Sequence, residues 1–129
     1  MVFPVEYGFV PQTYSEDCDP LDIMALTYEP LEVGTIAKVR VIGILTMEDE
    51  KGLDNKILSV LVNDMRFEEY RDLKDVDGYQ LNEIRDFFET YKRLEPCKWV
   101  KVTGWKNAQE AMQIVLSAMN SYRELKKYI

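Results

Sequence analysis

Two apolar runs separated by a charged stretch do most to limit what this chain can fold into. Thr35 to Leu45 (TIAKVRVIGIL) is rich in β-branched residues and partly alternates polar with apolar positions. Lys56 to Val62 (KILSVLV) is a second short run of the same kind. Such side chains fit a pleated surface better than a helix. The residues between, Met47 to Asn55, are charged and include Gly52. The three segments together predict a long-looped β-hairpin.

The rest of the chain supplies elements to pack against that hairpin. Residues 1–16 read as an extended apolar start followed by a turn-rich loop. Asn63 to Tyr79 is polar and irregular, with a helical turn near Phe67–Tyr70. Leu81 to Leu94 predicts a helix whose apolar stripe is Leu81, Ile84, Phe87 or Phe88, Tyr91 and Leu94. Pro96 ends it. Lys98 to Val102 (KWVKV) predicts a short alternating strand. Asn107 starts a last helix, with Glu110 placed for a capping box. Its expected buried face is Ala111, Val115, Ala118, Tyr122 and Leu125. Strands, helix, strand, helix in one domain of 129 residues predict a mainly β protein, a small barrel or sheet with helices alongside.

Composition removes several kinds of chemistry. The chain has no histidine, which excludes Ser-His-Asp and Cys-His nucleophile systems and zinc sites of the usual His type. Catalysis must then run on carboxylates, Lys, Tyr and metal. A net charge of −7 opposes nucleic-acid backbones, so no nucleic-acid partner is expected. No apolar run is long enough to cross a bilayer, so no membrane partner is expected either. The start lacks the pattern of a signal peptide. Cys18 and Cys97 make no disulfide framework, and a reducing cytoplasm is expected.

Acidic residues cluster twice. Asp17-Cys18-Asp19-Pro20-Leu21-Asp22 places three carboxylates in six residues, with a proline stiffening the middle. Asp17 and Asp19 share a side if the segment is extended. Like charges that close repel unless a cation sits among them, and oxygen-only donors favour a hard ion such as Mg²⁺. A turn with an Asx-type cap would also explain one or two of these aspartates. An EF-hand fits poorly, because Asp22 stands where that loop needs glycine. In the second cluster, Glu48 to Lys56, Asp49 and Asp54 flank a turn permitted by Gly52, and Asp54 and Lys56 share a face. A solvated hairpin tip is the alternative reading there. Carboxylates to hold metal, with Lys and Tyr to hold phosphate, suit phosphoryl transfer to water.

These motifs together resemble the family I inorganic pyrophosphatases. Asp17-Cys18-Asp19-Pro20-Leu21-Asp22-Ile23 resembles the family's D-x-D-P-hydrophobic-D-hydrophobic signature. Phe3-Pro4-x-x-Tyr7-Gly8 resembles the run upstream of it. Val41-Ile42-Gly43 with Asp49, Asp54 and Lys56 resembles the second acidic loop. Phe87-Phe88-x-x-Tyr91-Lys92 resembles the helix motif, and Lys98 to Trp105 the strand before the last helix.

The resemblance implies Mg²⁺-dependent hydrolysis of inorganic diphosphate, with several ions per site and Mn²⁺ or Zn²⁺ as other candidates. It implies Asp17, Asp22, Asp49 and Asp54 as metal ligands and Asp19 as general base on the attacking water. Lys56, Tyr91 and Lys92 would bind phosphate oxygens, and Tyr7 would line the site. It implies an OB-like β-barrel with two packed helices and a homo-oligomer, a hexamer by the family's habit. Cys18 stands where a small or polar residue is common, and Phe3 where tyrosine is. Family members also carry strands before Phe3-Pro4 that supply a lysine, an arginine and acidic residues. That comparison implies a barrel incomplete at its N-terminus and a chain truncated relative to the family, with activity reduced or lost. The alternative is a non-catalytic pyrophosphatase-like fragment that acts only in assembly.

Overall fold

The alternation predicted around residue 40 appears as the longest strand of a mixed sheet. The structure is a computed structural model that describes residues 5–16, 18–91 and 96–127. The strands are β1 (Glu6–Val10), β2 (Leu21–Leu26), β3 (Val39–Asp49), β4 (Gly52–Leu53), β5 (Lys56–Leu61) and β6 (Val100–Asn107). The helices are α1 (Gly78–Thr90) and α2 (Ala108–Lys126). Met65–Phe67 and Leu73–Asp75 form single 3-10 turns. The sheet runs β1-β2-β5-β3-β4, with β6 also on β3. Among the described residues only β2 and β5 run parallel.

Each face of this sheet carries one helix. Met24, Leu26, Leu45, Leu58 and Val60 pack with Ile84 and Phe88 of α1. Leu21, Ile44 and Ile57 pack with Ala111, Val115 and Ala118 of α2. Pleating sends successive residues to opposite faces, so Leu58 and Ile57 serve different cores. A register shift between Val41 and Gly43 adds one residue to β3, as a bulge does. It lets Ile42 and Leu45 reach the α1 side while Ile44 reaches the α2 side. Gly43 sits at a close approach: a Cβ there would lie 2.9 Å from Leu73 Cδ1 and 3.2 Å from the Lys106 carbonyl.

The mainly β reading with two packed helices holds, and the sheet is not closed into a barrel. Several boundaries differ from those expected. The strand placed at 35–45 runs from Val39 to Asp49, so the hairpin loop is tighter than its charge suggested. Lys51 lies in the turn, and Gly52 has a φ of +118°. Residues 6–10, within the stretch read as an extended start and a turn-rich loop, form a strand, and residues 21–26 are a strand that the sequence pattern did not show. Helix α1 begins three residues early, capped by Asp77, whose side chain accepts from the Tyr79 N–H at 2.9 Å. It ends at Thr90, well before Pro96. Strand β6 continues past Val102 to Asn107 through a second register shift, opposite Thr46 and Met47. Asn107 does cap α2, accepting from the Glu110 N–H at 3.0 Å. Ala111, Val115 and Ala118 are buried as expected, but Leu125 is exposed. It falls in the last turn of α2, beyond the residues that pack on the sheet.

Candidate active site

The parallel pair β2–β5 places charge at one end of an apolar face. Asp22, Met24 and Leu26 alternate along β2, and Lys56, Leu58 and Val60 along β5. Asp22 is in register with Lys56, Met24 with Leu58 and Leu26 with Val60. The two inner pairs are core beneath α1. The first pair continues the same face but is ionic. Lys56 Nζ lies 2.7 Å from Asp22 Oδ2 and 2.8 Å from Asp54 Oδ1. Asp54 stands two residues before Lys56, on the same side, as the sequence spacing implies. Its own N–H donates to the Met47 carbonyl at 2.9 Å.

Aromatic rings enclose this ion group. Tyr7 on β1 and Phe88 on α1 present their rings to the ammonium, with centroids 5.4 and 5.7 Å from Nζ. Phe88 meets Tyr91 edge-on at 5.7 Å, and Tyr91 stacks on Phe87 at 5.8 Å. Lys56 is nearly buried and Asp22 is half-buried. Burial alone would push the Lys56 ammonium towards neutrality, but hydrogen bonds with Asp22, Asp54 and Tyr7 outweigh it. The group is therefore held charged, above the ordinary lysine range. Burial pushes the Asp54 carboxyl up, against the pull of Lys56, and the Asp22 charge adds to the rise. Burial also raises the Tyr7 hydroxyl, so it remains a neutral donor at pH 7.

The first acidic loop is tightly tied. Thr13 Oγ1 donates to the Val10 carbonyl at 2.6 Å and accepts from the Leu21 N–H at 2.9 Å. The Asp19 carbonyl accepts from both the N–H and the hydroxyl of Ser15, at 2.9 and 2.7 Å. Cys18 adopts φ +68°, a left-handed conformation that suits small residues better than branched ones. Asp19 is exposed beside it. In the hairpin, Asp49 is buried and accepts from the Lys51 N–H at 2.9 Å.

The structure thus brings Tyr7, Asp22, Asp54, Lys56 and, through Phe88, Tyr91 into one neighbourhood. Asp19 lies in the loop that leads into β2, and Asp49 is the last residue of β3. Asp17 and Lys92, and the Phe3-Pro4 part of the upstream motif, lie outside the described residues. Phe88 enters the sequence reading as one of two candidates for a helix stripe and as part of the Phe87-Phe88-x-x-Tyr91-Lys92 motif, with no site role assigned. The spacing of Phe88 and Tyr91 along one helix face was the available signal.

Among the described residues no three acidic or cysteine side chains form a group that would hold a metal ion. Asp22 and Asp54 nevertheless already share one cation, the Lys56 ammonium. Their donors are all carboxylate oxygens, which fits a hard divalent ion.

The family model for inorganic pyrophosphatase matches residues 1–123. The chain belongs to the inorganic pyrophosphatase family. The Thermus thermophilus inorganic pyrophosphatase is 46% identical over 123 residues, covering 94% of this chain and 70% of the relative. Its solved structure superposes with a TM-score of 0.91, covering 93% and 70% of the two chains. The Helicobacter pylori inorganic pyrophosphatase structure is 39% identical with a TM-score of 0.92, covering 94% of this chain and 72% of that one. Inorganic pyrophosphatases of family I are metal-dependent. Among the described residues no helix is long and apolar enough to cross a membrane.

Proposed function

We propose that this chain hydrolyses inorganic diphosphate to two phosphates, using Mg²⁺. The observation that carries the reading is the convergence of Asp22 and Asp54 on Lys56 beneath Tyr7 and Phe88, in a chain that matches the family from residue 1 to 123. Asp17, Asp22, Asp49 and Asp54 would hold the metal ions. Bound Mg²⁺ lowers the pKa of water and offsets phosphate charge. Asp19, exposed beside β2, takes the proton of the attacking water. Lys56, Lys92 and Tyr91 bind phosphate oxygens, and the neutral Tyr7 hydroxyl donates towards them.

Lys56 has two tasks in this arrangement. Without metal its charge neutralises Asp22 and Asp54. Were those carboxylates to take a metal ion, the Lys56 ammonium would be free to face the anion. A fixed cation facing charge that builds up in the transition state is worth about 10²–10³ in rate. Likeness to enzymes named inorganic pyrophosphatase favours turnover over a role in assembly alone. The chain assembles as a homo-oligomer, a hexamer by the family's habit, and works in the cytoplasm, where the exposed thiols of Cys18 and Cys97 stay reduced.

The test is phosphate release from diphosphate. Wild-type chain with Mg²⁺ releases phosphate, EDTA stops it, and Asp19→Asn lowers kcat by about 10²–10⁴. An Asp19→Asn protein as fast as wild type would remove Asp19 from the role of base. No release by wild type would remove the reading altogether.

A further inference from the structure

The role of Phe88 is not explained by packing alone. It is buried on α1 and belongs to the α1-side core. Its ring contacts also join the phosphate-facing groups to each other. Its centroid lies 5.7 Å from Lys56 Nζ, 5.7 Å from the Tyr91 ring at 87°, and 6.3 Å from the Tyr7 ring. Phe87 braces it edge-on at 5.3 Å. A ring face attracts an ammonium, more strongly where water is excluded.

We propose that Phe88 is a positioning residue. Its ring, with that of Tyr7, holds the Lys56 ammonium in place when Asp22 and Asp54 turn to a metal ion. The choice of phosphate as the group Lys56 then meets rests on the diphosphatase reading above. The physical reason is a change of partners. In the metal-free arrangement Lys56 is fixed by two short ion pairs at 2.7 and 2.8 Å. A long lysine side chain that loses both regains rotamer freedom and loses aim. The ring faces do not compete for the metal, so they persist beside the hydrogen bond with Tyr7. The T-shaped contact to Tyr91 ties the same ring to the second phosphate-facing side chain.

The experiment compares Phe88→Leu with Ile84→Val, a core variant one turn earlier on the same helix face. Both are read by steady-state diphosphate hydrolysis and by the NMR signal of the Lys56 ε-methylene, identified by its absence in Lys56→Arg. The expected result for Phe88→Leu is a loss of about 3- to 30-fold in kcat/KM, mainly through kcat. Its Lys56 signal moves downfield as the ring-current shielding is lost. Ile84→Val keeps both readouts near wild type even where it lowers Tm. Phe88→Met repeats the comparison if leucine is poorly tolerated. A Phe88 variant whose KM, kcat and Lys56 signal match those of Ile84→Val would overturn the proposal and leave Phe88 as core alone. If wild type hydrolyses no diphosphate, the functional reading fails. The Phe88 proposal is then decided by the mobility of the Lys56 ε-methylene with Mg²⁺ present. That mobility rises in Phe88→Leu and not in Ile84→Val if the ring holds the ammonium, and equal mobility in the two variants would overturn the proposal.

Discussion

The two faces of the β2–β5 pair are built from the same strands, one residue out of step, and they end differently. On the α2 side Leu21 and Ile57 stay apolar to the strand ends and meet Ala111, Val115 and Ala118. On the α1 side Met24 and Leu58 give way at that same end to Asp22 and Lys56. The α2 core anchors the strands, so the α1 face can place an ion group at its rim without losing register. A one-residue slip would exchange the two sets and bury the aspartate and lysine against α2. Site precision therefore depends on the apolar neighbours of the site residues in sequence, on the opposite face.

That contrast can be broken by mutation. The largest stability effect is expected on the purely apolar side. Ile57→Ala removes a fully buried side chain and is expected to cost about 2–5 kcal/mol, read by urea denaturation. Its kcat at a temperature where it is folded should stay near wild type. A selective loss of kcat in the folded protein would show that the two faces are less separate than drawn.

A smaller effect is expected where the sheet bulges. Gly43→Ala would press a methyl group on the end of Leu73 and on the Lys106 carbonyl. The leucine can yield but the carbonyl is fixed by β6, so about 1–3 kcal/mol is expected. Unchanged denaturation would mean the bulge can relax.

The smallest effect concerns pH. Asp72 accepts from the Ala108 N–H at 2.9 Å and from the Leu73 N–H at 2.7 Å, joining the second 3-10 turn to the start of α2. Those two backbone bonds hold its carboxyl below the ordinary range. A depressed folded pKa means that this stabilisation is present above the unfolded value of about 3.9 and is lost as pH falls through the folded value. Asp72→Asn should flatten the fall of Tm at the acid end while changing Tm little at neutral pH. A steep acid limb retained in Asp72→Asn would move that pH dependence to other carboxylates.

Much of this was legible in the sequence, for local reasons. The β3–β5 hairpin announced itself through β-branched alternation, and α2 through Asn107 and a helical apolar period. Asp54 and Lys56 could be paired because two residues along a strand return to the same side. Strand β2 was hidden because one partner, β5, lies far along the chain and runs parallel, and the other, β1, is joined to it by a long irregular loop rather than a tight turn. The six residues of β2 also mix an aspartate with residues for both cores, so no simple alternation shows. Strand β1 falls in the stretch read as an extended start and a turn-rich loop, but it is short and its bounds carry no local signal. The end of α1 was misjudged because Pro96 is a strong stop, but the helix had already ended. The meeting of Tyr7 and Phe88 over Lys56 joins three distant segments, and only the fold could show it.

The most direct measurement is kcat/KM for Mg²⁺-dependent diphosphate hydrolysis in Lys56→Met beside Ile57→Val, adjacent residues on opposite faces. The account predicts a fall of about 10²–10³ for Lys56→Met and a value near wild type for Ile57→Val. Lys56→Met protein that keeps more than about a tenth of wild-type activity would contradict it.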